Sequence, residues 1–479
     1  MANRTQGKND KGIEERARHV KVTLINPPAP QVETFSLLGI TVPPLGLAYL
    51  AAVLENNGHS VRIIDAPALN LSLLQIRREL ERDQPDVIGV TSTTPTIYEA
   101  LAVVRTTRKV CPNAVTVVGG PHASFFATET LKGCRELDVV CKGEGEKTML
   151  ELAQAVERKE SLSNVKGIVF HSGDNIMETT PQPWIKDLDS LPFPARHLLP
   201  MDRYTILGKK SVIGNIISSR GCPFNCAFCA SSLLFGRIFR ARSPKNVVDE
   251  IEQLVHDYRP ETIEFSDDLF TLDKKRTEAI CDEIERRGLD ISWACSSRVD
   301  TISRALLQRM KRAGCMLIYY GVESGSQRVL NLMKKRISIE QIVKAIKWTK
   351  EVGIEALASF IIGFPGETRE DVEKTIAFAK KLDTDYAQFS FATPYPGTEL
   401  YRLAKERGLL LTENWSHYTA GRPIIAIDNS ISQDDLTKLL TKAYQSFYLS
   451  PKLLLRHLLK CHLSLFFKAV QWGFCNLFR

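Results

Sequence analysis

The chain has no stretch of about eighteen consecutive apolar residues, which excludes a transmembrane helix of ordinary length. Its first nineteen residues, MANRTQGKNDKGIEERARH, lack the apolar centre of a secretory leader and are expected to form a disordered tail. The eleven cysteines do not form a regular disulfide framework. Most lie in apolar contexts and are expected to be small core residues in a reducing cytosol. No G-x-G-x-x-G follows the first strand, where INPP stands instead, so a dinucleotide is not expected there. Excess charge is slight: +8 over 479 residues, which a solvated surface explains without nucleic acid.

A further absence is more informative. Cys222, Cys226 and Cys229 in RGCPFNCAFCASS follow the spacing C-x3-C-x2-C, and no fourth Cys or His lies close behind. A closed tetrahedral zinc site takes four ligands, usually as two pairs. Three neighbouring thiolates leave one coordination position open, which suits a [4Fe-4S] cluster with one iron free for substrate or cofactor. Gly221, Pro223 and Asn225 are turn formers that let backbone amides approach the sulfurs. Phe228 can shield the cluster or stack on a bound ring.

Around this triplet the sequence predicts an α/β protein. From residue 20 to 160, short β-branched runs alternate with amphipathic helices: VKVTLIN, SVRIIDA, DVIGVTS, AVTVVGG and LDVVCKG open five units of a doubly wound parallel sheet. Residues 161–212 include the proline-punctuated IKDLDSLPFPARHLLP and are expected to be a connector. From 213 to 410 a second series of six strands, from GNIISSR to DYAQFSFA, suits a partial (βα)6 barrel, with another open sheet as the alternative. Either geometry puts ligands at the carboxyl ends of the strands, and the cysteines follow the first of them. Residues 411–479 are expected to be a helical C-terminal region. In 451–479 there is no acidic residue, and Lys452, Arg456 and Lys460 share a helical face. Such a helix lies in a membrane interface or docks on the barrel with its basic chains extended.

C-x3-C-x-aromatic-C after a first barrel strand resembles the radical S-adenosylmethionine superfamily. The resemblance implies a [4Fe-4S] cluster on Cys222, Cys226 and Cys229, with S-adenosylmethionine chelating the open iron. Its reductive cleavage then gives a radical that abstracts hydrogen from unactivated carbon. Three downstream stretches match in order. EFSDDLF offers Asp267 and Asp268 for the cofactor's amino group. YYGVESGSQRVL offers Glu323 and Ser324 for the ribose or carboxylate. In IIGFPGET, Gly363 allows close approach of the adenine. Arg298 is placed to pair with the carboxylate, and Phe228 belongs to the same cofactor set.

INPP, PPLGLAYLAAVLENNGH, VVGGPHAS and CKGEGEKTMLEL resemble the cobalamin-binding domain that precedes the barrel in one branch of that superfamily. The resemblance covers roughly residues 20 to 410. A flat corrin needs small residues beneath it, as Thr91, Ser92, Gly119 and Gly120 provide; His122, Gly143 and Glu144 complete the expected cobalamin set. The Asp-x-His-x-x-Gly loop that gives cobalt a histidine in other cobalamin proteins is absent. His122 is the available substitute, and cobalamin bound without a protein histidine is the expectation. The implied function is methyl transfer or C–C ring formation at an unactivated carbon. A hydrophobic, lipid-like substrate is expected from the basic apolar tail and from YAQFSFATPYPGTELY, which is read as lining an apolar pocket. Cys295 is the candidate hydrogen donor, with core packing as its other reading. The expected partners are a ferredoxin or flavodoxin as electron donor and a peripheral membrane contact through 451–479. A tRNA- or small-molecule-modifying enzyme without corrin, and a non-enzymatic cobalamin or redox sensor, stay open.

Overall fold

The computed structural model describes residues 19–28, 41–206, 209–210, 213–427 and 431–459. Most of the expected N-terminal tail, and residues 460–479 of the basic stretch, lie outside them.

Strands β1 (Lys21–Asn26), β2 (Ser60–Asp65), β3 (Val87–Thr91), β4 (Val115–Gly119) and β5 (Val139–Cys141) pair in parallel in the order 2-1-3-4-5. Helices cover both faces, so these strands read as continuous apolar runs, not as alternations. Leu24 and Val87 face one apolar cluster with Leu54 and Leu152; their neighbours Ile25 and Ile88 face the other with Ile64 and Val104. The order reverses between β1 and β3, and at such a switch point the departing loops leave a crevice beyond the strand ends. The sheet continues into the stretch expected as a connector. β6 (Ile168–Ser172) and β7 (Asn175–Glu178) add an antiparallel hairpin at the β5 edge, turned by Gly173-Asp174 with Gly173 at φ +61°. A two-residue Gly-Asp loop is a recognised hairpin signal.

Among the described residues, the rest of 161–212 is irregular apart from 3-10 turns and a small hairpin, β8 (Thr205–Ile206) with β9 (Lys209–Lys210). The second sheet begins with β10 (Ile213–Ile216). A short antiparallel pair follows, β11 (Ser219–Arg220) with β12 (Arg240–Ala241). Then come β13 (Thr262–Phe265), β14 (Trp293–Ser297), β15 (Cys315–Glu323), β16 (Glu355–Ile362) and β17 (Tyr386–Phe391). β10 and β13–β17 form a six-stranded parallel sheet in sequence order with β10 and β17 at its edges, a partial (βα) barrel.

Strand alternation sets what faces the barrel interior. In β16, Ala356, Ala358, Phe360 and Ile362 are buried against the outer helices, while Leu357, Ser359 and Ile361 are half-buried on the inner side. The same rule corrects the reading of YAQFSFA. Phe389 and Phe391 belong to the helix-packed core, and the inner positions of β17 are Tyr386, Gln388 and Ser390. Helix Gln433–Tyr448 covers that edge strand: Tyr444 and Tyr448 hydroxyls bond the main chain of Phe389 and Ala387 at 2.8–3.2 Å. In the next helix, Pro451–Leu459, Lys452 pairs with Asp383 at 2.8 Å and Arg456 pairs with the same carboxylate. These two basic residues are therefore docked on the barrel.

Candidate active site between the two sheets

The antiparallel pair β11–β12 pinches the chain, so residues 221–239 form a loop closed at its base. Gly221 opens the loop at φ +86°, where a Cβ would stand 2.3 Å from the Ile238 carbonyl oxygen. Inside it, the Ala227 amide donates to the Met333 carbonyl (2.9 Å) and its own carbonyl accepts from Leu400 (2.8 Å). The three thiols of Cys222, Cys226 and Cys229 are half-buried. Burial raises the Cys222 thiol and pushes that of Cys229 up to about 11, and each feels the charge of Cys226 and of Asp268. Backbone amides of Phe224 and Ser231 point at Cys222 and Cys229, and favour their thiolates.

Among the described residues no three His, Cys, Asp or Glu side chains converge as ligands of a single ion. A cubane asks for a different arrangement, because each thiolate meets its own iron and the sulfurs stand around a cage. Three half-buried thiols on one loop, with amide donors directed at two of them, fit that group.

The flanking candidates divide. Burial raises the Asp268 carboxyl, with the nearby Ser231 hydroxyl and Gly221 amide working in the opposite direction. It also lines the central cavity. Asp267 is committed elsewhere: its oxygens accept from the Ser218 amide and the Ser218 and Ser219 hydroxyls, each at 2.6 Å. It therefore orients the segment leading into the cluster loop. Arg298 lies flat over Phe224, 3.6 Å from the ring centre, with one nitrogen 4.0 Å from Cys226 Sγ. Asp300 grips it at 3.0 Å twice and the Lys335 carbonyl at 2.9 Å. Glu323, at φ +66°, accepts from Lys335 Nζ at 2.6 Å, and that ammonium lies 5.9 Å from the Phe228 ring. So Phe228, Arg298 and Glu323 come together beside the loop. Ser324 does not: its buried hydroxyl meets Thr375 on an outer helix at 3.0 Å. The Gly363 amide is held by Glu367 at 2.6 Å, and a Cβ there would meet Ile427 and Leu436. Cys295 is fully buried on the helix-packed face of β14, where burial and Cys315 raise its thiol, and it does not line the cavity.

A cavity of about 250 Å³ lies between the carboxyl ends of the first sheet and the start of the barrel. Thr91, Gly119, Gly120, Gly143, Val117 and Met149 line it from one side; Ser219, Arg220 and Asp268 from the other. Gly120, at φ +96°, has no room for a side chain: a Cβ would lie 2.5 Å from the Ser92 carbonyl oxygen. Small and apolar groups at a switch point are what a flat macrocycle needs, so these residues fit cobalamin. Ser92 supports the site from behind, its hydroxyl on the Gly119 carbonyl at 2.9 Å. Glu144 lines the cavity but is held by arginines. His122, grouped with the expected cobalamin set, does not line the cavity. It follows Pro121 into a short helix that turns its ring away, against Phe126 and Trp415 at 5.7 and 5.2 Å. Burial lowers its pKa to about 4, and among the described residues no histidine lines the cavity.

Comparison with known proteins bears directly on this geometry. Residues 216–379 match the Radical SAM superfamily and residues 37–153 match the B12 binding domain. An uncharacterised methyltransferase of Pyrococcus horikoshii is 42% identical over 452 residues, 94% of this chain and 97% of that one. The chain belongs to the cobalamin-binding radical SAM enzymes. An anaerobic magnesium-protoporphyrin IX monomethyl ester cyclase of Rubrivivax gelatinosus is 33% identical, covering 85% of this chain and 74% of its own. Among solved folds, the methyltransferase TsrM of Kitasatospora setae superposes with a TM-score of 0.70 at 19% identity, covering 82% and 79% of the two chains. The enzyme's cofactors are thus a [4Fe-4S] cluster, S-adenosylmethionine and cobalamin, and its family performs methyl transfer or ring closure. The sensor and corrin-free alternatives fall away.

Sequence reasoning missed Arg220, Arg240, Glu146 and Tyr49, all close to this cavity. Two arginines flanking the cysteine loop, in SSRGC and FRARS, were the available signal.

Proposed function

We propose that the enzyme methylates an unactivated carbon of a small, largely hydrophobic molecule, using cobalamin as methyl carrier. When bound, the cluster and S-adenosylmethionine supply one-electron chemistry able to take hydrogen from such a carbon, and cobalamin supplies the methyl group. The inner face of the barrel carries this reading: Tyr319, Leu357 and Ile361 stand beside Ser359, Gln388 and Ser390, a surface for an apolar body with a few polar handles. Phe224 and Phe228, half-buried within the cluster loop, would shield the cluster from water. Asp268 offers a carboxylate to an amino group, and Arg298 places a fixed cation beside Cys226. A relative matched over 97% of its own length bears a methyltransferase name. Ring closure is the second reading, favoured by the cyclase at 33% identity.

A ferredoxin or flavodoxin is proposed as the electron donor. Contact with a membrane surface through 451–479 is left to residues 460–479, since Lys452 and Arg456 face Asp383. No helix among the described residues is long and apolar enough to cross a bilayer.

The test supplies the reconstituted enzyme with reductant and S-adenosylmethionine bearing a trideuterated methyl group, in lipid and small-molecule extracts of a deletion strain. Methyl transfer puts the deuterated methyl into one compound. Ring closure removes two hydrogens and brings in no deuterium. Cofactor cleavage with neither change in any extract would sink the substrate reading.

A further inference from the structure

Four charged side chains are buried where the two sheets meet. Glu144 and Glu146 come from the turn and helix after β5; Arg220 and Arg240 are register partners across β11–β12. Arg220 reaches Glu144 at 3.0 Å and Glu146 at 2.6 Å, while Arg240 meets both Glu144 oxygens at 2.9 Å. None of the four is more than 8% exposed. Arg240 also donates to the carbonyls of Ile185 and Phe235 at 2.8 and 2.9 Å, and Glu144 accepts from the Ile185 amide at 2.9 Å. Burial works against ionised Glu144, yet hydrogen bonds from Arg240 and the charge of Arg220 hold its carboxyl below the usual range.

Taking two ion pairs out of water carries a desolvation cost that their attraction barely offsets. Apolar residues of similar volume would join the units without that penalty, so adhesion alone does not account for the network. Its position does. Arg220 stands two residues before Cys222, in the strand pair that closes the cluster loop. Glu144, Glu146 and Arg220 also form one wall of the cobalamin cavity, and Arg220 lies 5.4 Å over the ring of Tyr49, which lines it too. The groups a corrin would press against are those that hold the base of the cluster loop.

We propose that this ion network couples the two cofactor sites, with Arg220 as the positioning residue through which filling of the cobalamin cavity and ordering of the cluster loop favour each other. Filling the cavity fixes the carboxylates against Arg220, and an ordered loop presents Arg220 to the carboxylates in register. Such coupling is reciprocal by thermodynamic necessity. It requires no substrate, so its failure and that of the substrate reading are separately visible.

The test titrates the full-length protein with hydroxocobalamin, followed by absorbance, once with the cluster reconstituted and once without it. The wild type is expected to bind at least about fivefold more tightly with the cluster present, the lower end of usual coupling. Arg220→Lys keeps the buried cation but cannot bridge both carboxylates, and Glu146→Gln removes one partner. In both, the ratio of the two affinities is expected to fall toward one. A merely structural clamp would weaken both affinities and lower the melting temperature while leaving the ratio at its wild-type value; that result overturns the proposal. A wild-type ratio of one overturns it without any variant, even if neither variant folds.

Discussion

Gly221→Ala and Gly143→Ala separate backbone strain from steric exclusion at the two cofactor sites. Both glycines have positive φ, +86° and +73°. A non-glycine residue in that region costs roughly 1–2 kcal/mol. At Gly143 strain is the whole cost, because a Cβ there meets nothing within 4 Å. At Gly221 the Cβ would stand 2.3 Å from the Ile238 carbonyl oxygen and 3.1 Å from that of Gly236, so the far side of the cluster loop must move. Strain and overlap together come to at least roughly 2 kcal/mol, about a thirtyfold fall in the population of the closed loop. Iron and sulfide per chain after anaerobic reconstitution, with a melting curve, read this directly. Gly221→Ala is expected to reconstitute poorly. Gly143→Ala is expected to take a full cluster and to bind cobalamin more weakly, because its methyl enters the cavity. Full iron content and wild-type melting in Gly221→Ala would refute the reasoning.

Burial raises Glu367 to about 7 from a usual value near 4.5, and its Oε1 is buried without a partner. Because the folded-state pKa is raised, its contribution is fully present below about 4.5 and is lost as pH rises through about 7. Glu367→Gln should therefore gain stability relative to wild type as pH rises across that window, by on the order of 3 kcal/mol; a difference constant with pH would refute this. His122→Phe keeps an aromatic ring against Phe126 and Trp415. Its bound hydroxocobalamin is expected to absorb as in wild type, and a displaced spectrum would make His122 a cobalt ligand after all. Asp383→Asn removes the carboxylate shared by Lys350, Lys452 and Arg456. Limited proteolysis should then cut near 451–459 faster; an unchanged rate would mean that apolar contacts alone hold that helix.

Both sheets were legible because each strand is a β-branched run followed by a helical period, and the cysteine spacing stands apart from any structural pattern. The β6–β7 hairpin was legible too, through Gly173-Asp174, but lay beside proline-rich text that reads as a connector. Side-chain direction was harder. Phe389, Ser324 and Cys295 sit on or beside the right strands, yet alternation and local turns aim them at outer helices. Asp267 and Asp268 are adjacent in sequence and differ in role because one faces the Ser218–Ser219 donors and the other the cavity. Arg220 and Glu146 lie 74 positions apart, and no local signal pairs residues across two sheets.

One chain brings a cysteine-held cluster and a cobalamin cavity together for radical chemistry. The most direct measurement reconstitutes the protein anaerobically, adds cobalamin, S-adenosylmethionine and a low-potential reductant, and follows 5'-deoxyadenosine by chromatography, with Cys226→Ala alongside. The expected result is 5'-deoxyadenosine from the wild type, none from Cys226→Ala, and cobalamin retained by both after gel filtration. No 5'-deoxyadenosine from wild-type protein with a full iron complement, or no retained cobalamin, would contradict it.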